Sequence, residues 1–84
     1  GAAAGQNFKG QVLDVAADGA LRLDDSPVEE AGLGDALRSG APVLLRADRG
    51  AAHGDVVRLL GVLQEAGAPG VEFEVVKPGA SLAE

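Results

Sequence analysis

The chain contains no cysteine, methionine, tryptophan or tyrosine, and Phe8 and Phe73 are its only aromatic residues. Without cysteine there are no disulfides to reinforce a small fold and no thiolate to act as nucleophile or ligand. Without aromatics there is no platform on which the bases of a single strand could stack. Positive charge is scarce as well. The basic residues stand singly at Lys9, Arg22, Arg38, Arg46, Arg49, Arg58 and Lys77, and the net charge is −6. Phosphate backbones are held by clustered Lys and Arg, so no nucleic-acid partner is expected. No apolar run approaches the roughly 20 residues that cross a bilayer, and no signal peptide is visible.

What remains suits one small aliphatic domain. The 84 residues are 46% hydrophobic, an ordinary fraction for a globular chain. A domain of this size is stable by only several kcal/mol, roughly 5 or a little more. The opening Gly1-Ala2-Ala3-Ala4-Gly5 reads as part of a tag remnant or linker over residues 1–10. Residues 11–77 form the expected domain, and 78–84 a flexible tail.

Ala17-Asp18-Gly19 separates two alternating segments, Gln11 to Ala16 and Ala20 to Asp24. Asp-Gly between such arms signals a hairpin, because its turn needs positive φ. Leu13 and Val15 then share a face with Leu21 and Leu23. Asp25-Ser26-Pro27 signals a turn, and a helix is expected over about Glu29 to Ser39, with Leu33, Ala36 and Leu37 as its apolar face. Pro42 to Ala47 fits a buried central strand. A second helix runs from about His53 to Ala66 and is closed by Gly67; its apolar arc is wider than the ~100° that covers a sheet. Val71 to Val76 alternates, with Val71, Phe73 and Val75 inward and Glu72 and Glu74 outward. The order β-β-α-β-α-β predicts an α/β sandwich of two layers: a mixed four-stranded sheet with both helices on one face. A right-handed crossover is expected for its strand-helix-strand end.

The segment Arg46-Ala-Asp-Arg-Gly-Ala-Ala-His-Gly-Asp55 concentrates polar chemistry and holds the only histidine. Catalytic zinc sites favour two or three histidines, or a carboxylate with histidines at helical spacing, so Asp48, His53 and Asp55 make a poor metal set. Ser26, Ser39 and Ser81 have no base spaced to activate them. Gly50 and Gly54 lack the Lys and Ser or Thr of a phosphate loop. A structural corner accounts for these residues better. Asp48 at a strand end accepts loop amides, Asp48 and Asp55 suit the helix dipole, Gly54 permits close approach, and His53 is a partly buried packing residue. No cofactor and no catalysis are expected.

Two runs, Pro42-Val-Leu-Leu-Arg-Ala-Asp48 and His53-Gly-Asp-Val-Val-Arg-Leu-Leu60, the latter continuing to Gln64-Glu65-Ala66-Gly67, resemble the periplasmic domain of the ExbD/TolR family. Members typically show a strand ending in Ala-Asp, a short loop, Tyr-Gly with hydrophobics, and a helix ending in Ala-Gly. Asp18-Gly19, Leu21 to Leu23, Pro27-Val28 and Leu33 to Leu37 follow the family in order. The resemblance extends over about Val12 to Val76. Departures are His53 where relatives usually have Tyr, Ala52 where many have Pro, and an unusually Gly-rich first helix.

The resemblance implies a periplasmic domain of a single-pass inner-membrane protein whose membrane helix is not in this chain. Such proteins form homodimers and work with an ExbB/TolQ-like channel. They use the proton-motive force to energise a TonB- or TolA-like protein, supporting transport or envelope maintenance at the outer membrane. An alternative implied by the same family is a peptidoglycan-binding anchor of TolR type. A partner strand could add to a sheet edge, and the candidate edges are the first strand, with Val12, Asp14 and Val15, and the last, with Val71, Phe73 and Val75. The surplus apolar surface of the second helix either packs on the first helix or, with Leu59 and Val62, forms a candidate dimer or partner face.

Overall fold

A computed structural model of the chain describes residues 9–76. Most of the expected leader and the whole of the expected tail lie outside the described residues. Alternating apolar side chains build β1 (Gln11–Val15) and β2 (Leu21–Leu23), which pair antiparallel with Leu13 opposite Leu23 and Val15 opposite Leu21. All four of these side chains are buried. Between the arms, Gly19 takes a φ of 91°, and its N–H donates to the Ala16 carbonyl at 2.9 Å. The Asp18 carboxylate accepts the Ala20 N–H at 3.0 Å. Asp-Gly thus makes the turn its chemistry predicts.

Among the described residues the sheet has five strands, not the expected four, in the order β3-β2-β1-β4-β5. The additional strand, β3 (Ser26–Val28), falls where a plain turn was expected and pairs antiparallel with β2. Its link to β2 is the two-residue pair Asp24-Asp25, with φ of 51° and 72°. Tight hairpins need such positive φ and usually recruit Asn or Gly for it. Here Asp24 offsets the strain by bonding to β1: its carboxylate accepts the Val12 N–H at 2.9 Å, and its own N–H donates to the Val12 carbonyl at 2.8 Å. Pro27 is tolerated inside a strand because β3 lies at the sheet edge.

Two parallel pairings complete the sheet. β4 (Val43–Asp48) lies parallel to β1 on one side and to β5 (Val71–Val76) on the other. The connection between β4 and β5 is helix α2 (His53–Glu65). It ends where Gly67 adopts a φ of 84°, with the Gly67 and Ala68 amides donating to the Gln64 and Leu63 carbonyls.

Leu13, Val15, Leu21, Leu23, Val43, Leu45 and Ala47, from one face of the sheet, join Val56, Leu59 and Leu63 of α2 in a single buried cluster. The same cluster contains Leu33 of the other helix, α1 (Glu30–Ala36), so both helices pack on that face. Helix α1 is shorter than the expected Glu29 to Ser39, and Ala36, expected on its apolar face, is exposed. Gln11 explains the early stop. It is a buried polar residue, only 4% exposed, at the start of β1. Its Oε1 accepts the Arg38 N–H at 2.6 Å, and its Nε2 reaches the Ala36 carbonyl at 3.5 Å. A continuing helix would have directed the Arg38 amide to the Gly34 carbonyl. With Gly32 and Gly34 each costing about 1 kcal/mol against alanine, α1 depends on such tertiary anchors. A further anchor is the Arg58–Glu30 ion pair at 3.0 Å, which ties it to α2.

Replacing Gln11 by Ala leaves the Arg38 amide without its protein acceptor; the bond is partly buried, and losing it costs about 1 kcal/mol. Urea unfolding of Gln11→Ala should show that loss. Amide exchange should accelerate first in α1, and uniform acceleration across the domain would contradict the clamp.

Candidate interaction site

The polar junction after β4 is a corner. The Asp48 carboxylate accepts the Gly50 N–H at 2.7 Å, while the Asp48 carbonyl accepts the Ala51 N–H at 2.8 Å. Gly50, rather than Gly54, is where the chain comes close. A Cβ on Gly50 would stand 3.2 Å from Ala17 Cβ, whereas one on Gly54 meets nothing within 4 Å. His53 is exposed, contrary to the packing role expected for it. Asp55 pairs with Arg58 at 3.0 Å within the first turns of α2. No group of three or more His, Cys, Asp or Glu side chains is placed to hold a metal among the described residues.

The helix-free face of the sheet is organised around Arg46. Parallel register sets Asp14, Arg46 and Glu74 side by side on β1, β4 and β5. Arg46 lies 3.7 Å from Asp14 and 3.6 Å from Glu74, and its side chain is largely buried. Its Nε, though closest to Glu74, is beyond hydrogen-bond range and finds no such partner among the described residues. Burial pushes the Asp14 carboxyl above its ordinary value of 3.8; the Arg46 charge pulls it back, but by less, and Asp25 adds to the rise.

Sheet order decides which edges are open. β1 lies between β2 and β4, so Val12, Asp14 and Val15 are not at an edge. The outermost strands are β3 and β5. In the two-residue hairpin, Leu23 and Ser26 form the bonded pair next to the turn, which turns the peptide groups of Pro27 outward. Proline has no N–H to offer there, so β3 is a blunted edge.

β5 is different. The Val43 N–H donates to the Gly70 carbonyl and the Arg49 N–H to the Val76 carbonyl, at 2.9 and 2.7 Å. In a parallel ladder alternate residues bond to a given neighbour, so Glu72, Glu74 and Val76 face β4 through their backbone. The N–H and C=O groups of Val71, Phe73 and Val75 therefore point away from the sheet. These three side chains lie on the helix side, as expected. Their burial is another matter: Phe73 is 50% exposed and Val75 57%, because the helix layer stops short of β5. Beside them Val57 of α2 is 53% exposed. Together with Leu60, Ala51 and His53 they line an open, mainly apolar groove of about 380 Å³.

Leu59 is only 2% exposed and belongs to the core, and Val62 is partly buried against it. The apolar surface that α2 presents is thus Val57, on the β5 side of the helix, not Leu59 and Val62. The width of its apolar arc signalled a surplus, but its direction depended on where the sheet ends. No family model matches the chain, and a search of curated proteins finds no match.

The carboxyl of Asp14 binds its proton more tightly in the folded than in the unfolded chain. Its contribution to stability is therefore fully present below pH 3.8 and lost as pH rises to its elevated value. In urea titrations across the acid range, Asp14→Asn should gain stability relative to the native chain as pH rises through that interval, then hold a constant difference. A difference that moves the opposite way would mean that attraction to Arg46 outweighs burial.

Proposed function

We propose that this domain is a periplasmic interaction module of a proton-motive-force-driven energy transducer, of the ExbB–ExbD–TonB or TolQ–TolR–TolA type. The observation that carries the reading is the open β5 edge beside an apolar groove. A row of backbone groups without partners among the described residues, flanked by exposed Phe73 and Val75, suits capture of an extended partner segment. The family-like residues support it by where they fall. Ala47-Asp48 ends a strand, a short corner follows, and α2 closes at Ala66-Gly67. The partner reached in this way is a TonB- or TolA-like protein, and an ExbB/TolQ-like channel supplies the energy through a membrane segment of the longer protein. Among the described residues no helix is long and apolar enough to cross a membrane.

A photo-crosslinking residue in place of Phe73, carried by the full-length protein in its own cells, tests this directly. The expected product is an adduct with a TonB- or TolA-like protein whose yield changes when a protonophore collapses the proton gradient. A yield indifferent to the gradient, or no protein adduct at all, would sink the transducer reading. An adduct with cell-wall fragments would move the assignment to a peptidoglycan anchor.

A further inference from the structure

We infer that the segment taken up by β5 is an extended peptide in which apolar and basic residues alternate. This rests on the interaction reading above and adds the chemistry of the partner. The two faces of β5 make different demands on a strand laid beside it. On the helix side, Phe73 and Val75 are half exposed and continue into the groove with Val57 and Leu60. Side chains of an added strand that point this way meet a mainly apolar surface, with Asp48 and Arg49 also in its lining. On the other side stand Glu72 and Glu74. Only Glu74 has an ion-pair partner, Arg46 at 3.6 Å, and among the described residues Glu72 has none. Side chains pointing this way meet negative charge on a domain that already carries −6. The period of a strand is two, so these demands alternate along the incoming chain.

The same pattern argues against a second copy as the occupant. Two β5 strands joined antiparallel must pair outward-facing residues with outward-facing residues. If Phe73 opposes its own copy, Glu72 lands opposite Glu74. A shift of two residues between the strands sets Glu74 against Glu74, or Glu72 against Glu72. Each register that pairs the middle of the strand puts like charges directly opposite, which is destabilising. A basic residue at those positions reverses the sign of the interaction.

The test uses the 84-residue chain, ¹⁵N-labelled, titrated with synthetic nine-residue peptides. One alternates valine with lysine, one alternates valine with glutamate, and one is the lysine peptide N-methylated at alternate positions so that it cannot pair along its bonding edge. The lysine peptide should give saturable shifts at the amides of Val71, Phe73 and Val75 and at Val57. It should bind about tenfold more tightly than the glutamate peptide. N-methylation should abolish binding, and Glu72→Lys, at an exposed position outside the ion pairs, should erase most of the preference. Equal affinity for both charged peptides would overturn the charge rule while leaving strand addition in place. Absence of binding by either would remove the β5 edge as a docking site. Sedimentation showing a dimer, with Phe73→Ser restoring the monomer, would make the second copy the occupant and overturn the inference.

Discussion

Everything in this domain is referred to β4, because β4 alone is parallel-bonded on both sides. Its even-numbered residues bond to β1, through contacts such as the Gln11 N–H to the Pro42 carbonyl, and its odd-numbered residues to β5. That division fixes which way each side chain points. Val43, Leu45 and Ala47 enter the core, while Arg46 is held on the other face between carboxylates of both neighbours. It also fixes which peptide groups of β5 face away from the other described strands. The polar face, the core and the open edge follow from one ladder.

The helix layer is the second determinant. Two helices cover the core side of β1, β2 and β4 with few large residues, and Leu33, Leu59 and Leu63 are fully or almost fully enclosed. In a chain without Trp, Tyr or Met, aliphatic side chains alone must fill that space. They do so over the middle of the sheet and run out before β5. The exposed strip at Phe73, Val75 and Val57 is what this narrow layer leaves uncovered, and it borders the unpaired backbone.

Much of this was legible in the residues. Asp18-Gly19 marks a hairpin that forms with Leu13, Val15, Leu21 and Leu23 on one face, β4 and α2 lie within a residue of their expected limits, and Asp48 closes its corner through a loop amide. Local chemistry decides those features. What the sequence concealed depends on distant contacts. Asp24 hides a hairpin turn because its bonding to Val12 substitutes for the glycine a reader looks for. Pro27 conceals β3, since proline reads as a breaker until the strand is known to be outermost. The end of α1 is set by Gln11, twenty-seven residues before the amide it captures. Placing β1 at an edge, and Leu59 on the surface, failed for the same reason: alternation and helical period give faces, not neighbours.

Pro27 has an effect beyond its own strand. Propagation of sheet-to-sheet stacking, head to tail, requires each molecule to offer two receptive borders. Here one border lacks the donor and the other is available. Whatever docks on β5 therefore caps the sheet, and edge-to-edge growth through the native fold is hindered at β3.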